Sequence, residues 1–369
     1  MINRIITCLK NYDWILFFSV ILLLLIGLAE IYSIALSKNS LDLDFFKKQL
    51  LFVVIGILGL FVLSFFDYHN LRSFGNYFYL LGAILLIGVF FFGKTVRGTT
   101  GWYDFGGLSM QPVEFVKFLL IISLARYFSN NSVRVNPLKH LVISGTGSFV
   151  LIFLVLKQPD FGSALLLFSI WGSLVIFAGF KMRYILFLVL IVFMTFLSGW
   201  MFFFQDYQKQ RIMTFLRPVQ NDTLGEGYNI TQAIIAVGSG GIFGRGIGFG
   251  SQSQLKFLPE AQNDFIFAAI AEELGFFGVC LLLSFFGTFF YRLIRAVKIA
   301  KNDFGIYFIL GVLSLILIEM FVNIGMNIGL LPVVGISLPF VSYGGSAIVS
   351  TLMMVGVIES IIVQSNLKY

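Results

Sequence analysis

The chain has 369 residues, of which 58% are hydrophobic and only 12% are charged, with a formal net charge of +7. A soluble globular domain carries about a quarter charged residues, so the composition excludes a soluble, disordered or fibrous protein and predicts an integral membrane protein. Two Cys are too few for a disulfide framework. Two widely separated His, His69 and His140, argue against a histidine metal site or a histidine-based triad.

About ten apolar segments are predicted to cross the membrane as helices, because about 20 apolar residues span the hydrocarbon. The chain is therefore expected to be an all-α polytopic membrane protein with a single domain over residues 1–369. The first segment follows Arg4 and Lys10 without a small-residue cleavage site, which indicates a retained anchor and not a signal peptide. In chain order the segments are roughly 14–33, 49–66, 78–92, 113–128, 141–156, 161–180, 184–204, 265–291, 304–330 and 340–363.

The orientation follows from the Lys and Arg residues in the short connections. Thirteen lie on one side of the predicted bundle and six on the other, and the richer side is expected to be cytoplasmic. Both termini are then cytoplasmic. Residues 205–263 form one large extracytoplasmic loop between helices 7 and 8. Within it, residues 228–237 are predicted to form a short amphipathic helix that ends at a Gly-rich run.

Asp264 is the most informative residue outside the apolar segments. It follows Pro259 and Glu260, where a helix is predicted to start, and so is expected in the first helical turn. One interpretation is a carboxylate that caps the helix or neutralises its dipole. The other is a general base, which partial desolvation would strengthen and the helix dipole would oppose.

Small residues continue down the same predicted helix face. Ala268, Ala271 and Gly275 lie within about 40° of the Asp264 direction. Such a strip either lets another helix approach closely or forms a groove for a lipid chain. Glu272 and Glu273 lie deeper and are expected to pair inside the bundle, because ionisable groups seldom face lipid.

A second group of charges lies in the stretch QPVEFVKF. Glu114 and Lys117 are three residues apart on one helix face and can pair. They form either a structural pair or a cation presented to an anionic headgroup, with Glu114 positioning it or holding a metal. Asp160, Arg97, Lys47 and Lys48 share the outer side.

Six stretches of the sequence together match the motifs of one known family. They are QPVEFVK from Gln111, QPDFG from Gln158, DYQKQRIMTFL from Asp206, GYNITQAIIAVGSGGIFGRG from Gly227, GSQSQLKFLPEAQNDFIFAAIAEELG from Gly250 and LPVVGISLPFVSYGGSA from Leu331. On these residues the sequence resembles the SEDS family (shape, elongation, division and sporulation) over nearly its whole length. Two stretches, DYQKQRIM and SQSQLKFLPE, favour the elongation branch of the family over the division branch.

The resemblance implies a ten-helix peptidoglycan glycosyltransferase that polymerises lipid II during cell elongation, in the inner membrane of a bacterial cell. The family's catalytic aspartate corresponds to Asp264, and Glu114, Lys117 and Asp160 match its other motif positions. A divalent cation (Mg²⁺ or Mn²⁺) near Glu114 and no organic cofactor are expected. The partners expected are lipid II, the growing glycan strand, a class B penicillin-binding protein and other elongation proteins, with no nucleic acid. Arg97 and Lys48 complete the expected substrate-binding residues.

The chain departs from the family pattern at three places, and rival functions stay open. Gln262-Asn263 replaces the usual His-Thr, Val113 replaces a serine, and Gly101 precedes Trp102 where a basic residue is common. Besides polymerisation with inversion at the anomeric carbon, the alternatives are a flippase of lipid-linked precursor, a division polymerase and a noncatalytic scaffold. Transport sites tend to lie at the midplane, whereas these candidates gather at the outer face.

Overall fold

The computed structural model describes residues 10–36, 43–96, 99–104, 106–133, 135–198, 201 and 226–366. In chain order the elements are α1 (Trp14–Ala35), α2 (Asp44–Phe65), α3 (Tyr68–Ser73), α4 (Gly75–Phe92), β1 (Lys94–Val96), β2 (Thr99–Asp104), β3 (Ser109–Met110), α5 (Pro112–Asn130), α6 (Pro137–Leu156), α7 (Phe161–Phe177), α8 (Met182–Ser198), α9 (Glu226–Ser239), α10 (Ser251–Gln254), α11 (Ile266–Ile299), α12 (Asp303–Asn327) and α13 (Gly345–Asn366).

The predicted all-α polytopic architecture is confirmed. Each of the ten predicted segments overlaps a helix, and seven helices in the described part of the chain are long and apolar enough to cross a membrane. The other three, α5, α7 and α8, are shorter or more polar, so the number of crossings stays a prediction.

The sequence analysis missed a small antiparallel sheet, β1-β2-β3, between α4 and α5. On its surface the Lys94 ammonium lies 2.8 Å from the Asp104 carboxylate. This hydrogen bond lowers the pKa of Asp104.

α13 is the central helix of the bundle and is buried along almost its whole length. It packs against α2, α5, α11 and α12. Glycines allow the close approach to α2, since a Cβ at Gly356 would collide with the backbone of Leu60, and one at Gly56 with the side chain of Leu352. The loop that precedes α13 is thereby held at the predicted outer end of α2.

The predicted amphipathic helix at 228–237 is confirmed as α9. Its small residues Ala233 and Ala236 are fully buried and pack in one cluster with Ala268 of α11. The first part of the predicted outer loop, residues 205–225, lies outside the described residues. α9 therefore fixes the second part of this loop against α11.

α11 starts later than the sequence predicts. It begins at Ile266, with Phe265 at the N-cap, so Asp264 lies in the turn before the helix and not in its first turn. Glu260 has a left-handed φ of 55°, which excludes the predicted helix start at this residue, and Phe265 still has non-helical angles of φ −109° and ψ 21°.

The helical backbone of α11 is interrupted at Gly275. Gly275 has φ 66° and ψ −164°, which removes the helical bonds that Glu272 and Glu273 carbonyls would otherwise accept. Four other bonds replace them: Arg245 N to Glu272 O (3.0 Å), Gly246 N to Glu273 O (2.9 Å), Phe276 N to Gly241 O (2.9 Å) and Phe277 N to Ile242 O (3.0 Å). The Gly-rich run thus lies along α11 and completes its backbone hydrogen bonding.

The strip of small residues is covered by protein, so the lipid-groove interpretation is wrong. Ala268 is 0% exposed and Ala271 is 3% exposed. A Cβ at Gly240 would collide with the carbonyl oxygen of Ala271, and one at Gly275 with the backbone of Gly244. The small residues let the Gly-rich run and its neighbours approach α11 closely, which was the alternative left open.

This contact predicts that Gly240→Ala destabilises the protein by about 1–3 kcal/mol, because the added methyl group is forced into a packed backbone. Gly238→Ala is the matched control: it lies at the end of α9 and a Cβ there meets no atom within 4 Å. Thermal melts of both variants in the same detergent test this. Equal melting temperatures for the two alanine variants would contradict the packing described here.

Candidate functional site

Two buried amides of α12 hold the backbone of Asp264. The Nδ2 groups of Asn323 and Asn327 each donate to the Asp264 carbonyl at 3.0 Å. Asn327 Oδ1 accepts from the Ala268 N–H at 3.1 Å, whereas Phe265 at the N-cap supplies no side-chain bond. Asn327 therefore caps α11 from another helix and fixes Asp264 immediately before it.

The loop between α12 and α13 holds the residues on the other side of Asp264. Tyr343 N donates to the Gln262 carbonyl at 2.8 Å, and Ser342 Oγ donates to the Asn263 carbonyl at 2.7 Å. Gln262 and Asn263, which replace the family's His-Thr, thus hold this turn through their backbone carbonyls. A Cβ at Gly335 would lie 3.7 Å from Asp264 Oδ2, so the half-buried carboxylate faces the Gly335 turn.

The predicted pairing of Glu114 with Lys117 is confirmed, and a third residue joins it. Lys117 Nζ lies 2.7 Å from Glu114 Oε2 and 2.6 Å from Glu319 Oε1, and Lys117 is only 3% exposed. One ammonium between two carboxylates leaves no net positive charge for an anionic headgroup. The geometry therefore favours a structural pair, and a substrate-binding role for Lys117 stays a prediction.

A polar stripe on α12 connects this cluster with Asp264. Glu319, Asn323 and Asn327 follow one another at four-residue intervals, so they share one helix face and rise by about 6 Å per step. Glu319 holds Lys117, and the two asparagines hold Asp264. The sequence analysis missed this stripe, although the four-residue spacing inside an apolar segment was its signal.

Asp160 and Lys48 lie at the ends of α7 and α2 that are predicted to face outward. Asp160 caps α7 by accepting from Ser163 N at 2.9 Å, and it also accepts from Gln111 Nε2 at 3.3 Å. Lys48 is half-buried in α2, beside Gln49, whose side chain bonds Ser342 O and Gly344 N. Arg97 lies outside the described residues.

Glu272 and Glu273 are fully buried, as expected for ionisable groups inside the bundle. Glu272 accepts from Gln252 N at 2.8 Å and Ser253 N at 3.1 Å, so it holds the start of α10. Glu273 accepts from Ser33 Oγ, at 2.8 and 2.7 Å to its two oxygens. These two carboxylates of α11 thereby hold α10 and α1 against α11.

The described residues do not fit the expected divalent cation at Glu114. Its carboxylate is paired with the Lys117 ammonium, and no group of three or more His, Cys, Asp or Glu side chains in the described ranges is arranged to hold a metal ion.

A cavity of about 230 Å³ lies beside the turn that carries Asp264. Its walls come from the outer ends of α1 and α2 and from residues 253–262, including Lys256, Glu260 and Gln262. Lys256 and Glu260 have positive φ angles of 60° and 55°. Such backbone conformations are uncommon away from turns and functional sites.

Known proteins share this fold and much of this sequence. Three relatives are Stage V sporulation protein E of Bacillus subtilis (37% identity, 95% of this chain and 96% of the relative), peptidoglycan glycosyltransferase MrdB of Escherichia coli K12 (37%, 88% and 87%) and the probable peptidoglycan glycosyltransferase FtsW of Trichlorobacter lovleyi (35%, 96% and 93%). Because both MrdB and FtsW proteins match, the predicted preference for the elongation branch is not resolved.

Two solved structures match almost the whole chain. One belongs to a peptidoglycan synthase complex described as coordinating polymerization and crosslinking (TM-score 0.82, 25% identity, 97% of this chain and 99% of that chain). The other is the rod shape determining protein RodA of Thermus thermophilus (TM-score 0.72, 24% identity, 97% and 98%), a likeness in fold. Residues 13–367 match the FtsW/RodA/SpoVE family of cell cycle proteins, and the chain belongs to that family, which confirms the SEDS resemblance.

Proposed function

We propose that this chain is a peptidoglycan glycosyltransferase that polymerises lipid II into glycan strands, with Asp264 as its general base. The observation that carries the proposal is the rigid support of one half-buried carboxylate at the predicted outer face. Its backbone is held by Asn323 and Asn327, and the preceding residues are held by the loop before α13. Family membership and the names of the relatives give the substrate class.

In the proposed reaction, Asp264 takes the proton from the 4-hydroxyl group of the acceptor sugar. The hydroxyl oxygen forms a bond to the anomeric carbon of the donor, and the bond from that carbon to the pyrophosphate oxygen breaks. Undecaprenyl pyrophosphate leaves with the bonding electrons. A donor linked α and a product linked β require inversion, so one base suffices and no covalent enzyme intermediate forms.

The leaving pyrophosphate needs cations, and the outer ends of the helices supply candidates. Lys48 lies at the start of α2, and Lys256 lies in the wall of the cavity beside the Asp264 turn. Arg97 is proposed as a further cation because the sequence places it on the predicted outer side. In this proposal Glu114 and Asp160 act indirectly: the Glu114 ion pair and the Asp160 hydrogen bond keep the starts of α5 and α7 in place.

A role in elongation, a class B penicillin-binding protein as partner and a place in the inner membrane belong to the same proposal. The likeness to a chain of a peptidoglycan synthase complex supports the partner class. Expression in hosts lacking either the elongation or the division polymerase separates the two branches. A flippase would move lipid II between leaflets without forming polymer, so purified protein with lipid II distinguishes that alternative.

We expect Asp264→Asn to lower polymerisation at least about 100-fold, the usual contribution of general base catalysis, while the melting temperature stays unchanged. The substitution keeps the shape of the side chain and removes only the basic carboxylate. Asp104→Asn, on the exposed hairpin, is the control carboxylate. The measurement is gel analysis of glycan strands made from lipid II, and near-normal synthesis by the Asp264 variant would exclude the proposed base.

Asn327 is expected to act as a positioning residue for Asp264. Asn327→Leu removes the donor to the Asp264 carbonyl and the cap on Ala268, so we expect a lower kcat with little change in KM for lipid II. The reason is that the base moves while the rest of the substrate site is kept.

The matched control for this variant is Asn302→Ala. Asn302 caps the opposite end of the same helix by accepting from Gly305 N at 2.8 Å. Losing a cap costs about 0.5–2 kcal/mol, so both variants should melt earlier, and only the Asn327 variant should lose kcat. Equal kcat values in the two variants would show that Asn327 is merely structural.

The Lys117 cluster predicts a stability effect that can be separated from catalysis. Lys117→Met leaves two buried carboxylates without their cation, and breaking a buried ion pair costs about 3–5 kcal/mol. The triple variant with Glu114→Gln and Glu319→Gln carries no charge, so we expect it to regain both melting temperature and most polymerisation. A regained melting temperature without polymerisation would instead place the ammonium on the substrate, as the sequence predicted.

A further inference from the structure

The Gly-rich run 239–250 exposes large apolar side chains although it belongs to the predicted water-facing loop. Its only ionisable residue is Arg245. Four side chains are largely exposed: Ile242 (68%), Phe243 (83%), Ile247 (59%) and Phe249 (77%). A soluble loop rarely presents so many neighbouring apolar groups to water.

The height of this run in the bundle follows from its contacts. It is bonded to the backbone of Glu272 and Glu273, and Glu273 also accepts the hydroxyl of Ser33 on α1. Ser33 comes 19 residues after Trp14, where α1 starts, so it lies about 28 Å along the helix axis. The hydrocarbon is about 30 Å thick, which places the run close to its outer boundary.

The backbone of the run also suits a lipid environment. Irregular backbone can enter hydrocarbon only where its polar groups are bonded within the protein. Gly244, Arg245 and Gly246 donate to carbonyls of Gly240, Glu272 and Glu273, and the Gly241 and Ile242 carbonyls accept from Phe276 and Phe277. These five backbone groups of the run therefore do not need water as a partner.

The exposed patch continues into a surface that must face lipid. Phe276 and Phe277 follow the break in α11 directly, and each is 65% exposed on an apolar membrane-crossing helix. Arg245 is exposed and bonds Ser239 O and Ser251 Oγ, which leaves it at the polar edge of the patch. An arginine at that edge matches the phosphates of lipid headgroups.

We propose that the run 239–250 is inserted into the outer leaflet, with Ile242, Phe243, Ile247 and Phe249 among the acyl chains of phospholipids. The predicted extracytoplasmic loop therefore dips back into the membrane beside α11. This inference is independent of the reaction proposed above, because it concerns contact with bulk lipid and holds whether or not Asp264 is the base.

Site-directed spin labelling in phospholipid vesicles tests the proposal. In the full chain with Cys8→Ser and Cys280→Ala, single cysteines are introduced by Phe243→Cys or Phe249→Cys and labelled with a nitroxide. Phe276→Cys is the lipid-facing control, and Ser109→Cys, exposed on the β-hairpin, is the water-facing control. Relaxation by oxygen, which concentrates in lipid, is compared with relaxation by a water-soluble nickel chelate.

We expect the ratio of oxygen to nickel accessibility at positions 243 and 249 to approach that at 276 and to exceed that at 109. A ratio equal to that at 109 would place the run in water and overturn the proposal. Low accessibility to both reagents would also overturn it, because a second copy of the chain would then cover the patch. Unchanged melting temperatures of the two labelled variants ensure that the folded chain is measured.

Discussion

Hydrocarbon offers no hydrogen-bond partners, and the outer half of this bundle is organised by that constraint. At Gly275 the helix α11 loses two of its own bonds, and the Gly-rich run supplies four in exchange. At the start of α11, Phe265 offers no capping group, and Asn327 supplies the acceptor for Ala268 N. The piece from Ile266 to Gly275 is therefore held at both ends by other elements, and only Phe265 separates Asp264 from its first residue.

One face of α12 contacts both the Asp264 turn and Lys117. Glu319, Asn323 and Asn327 are buried polar groups in an apolar helix, which is tolerable only because each has partners on another element or on the chain beside it. A rotation of α12 by one residue, about 100°, would turn all three away together. The pairing of Lys117 and the placement of Asp264 consequently depend on the same helix orientation.

The features that could be predicted from the sequence are those that depend on local patterns of residues. Long apolar runs located the helices, the three-residue spacing of Glu114 and Lys117 predicted their pair, and the apolar periodicity of 228–237 predicted α9. The sequence could not predict partners that only the fold brings together: Glu319 is 202 residues from Lys117. A helix start at Glu260 is excluded by the left-handed φ of that residue, and a carboxylate side chain gives no sign of that conformation. The strip below Asp264 fitted either a groove or a close contact, because small residues serve both.

The position of the helix start bears on the interpretation of Asp264 as a carboxylate that caps α11 or neutralises its dipole. Had Asp264 stood in the first turn, capping the helix or balancing its dipole would explain a carboxylate there. The helix starts two residues later, the acceptor for Ala268 N is Asn327 Oδ1, and the Asp264 side chain faces the Gly335 turn. Gly335 has no side chain and φ of 68°, so the space in front of Oδ2 is bounded by backbone. Asn327 therefore supplies the acceptor for the Ala268 N–H, and two buried amides fix the Asp264 backbone, which is the rigid support that the proposed general base requires.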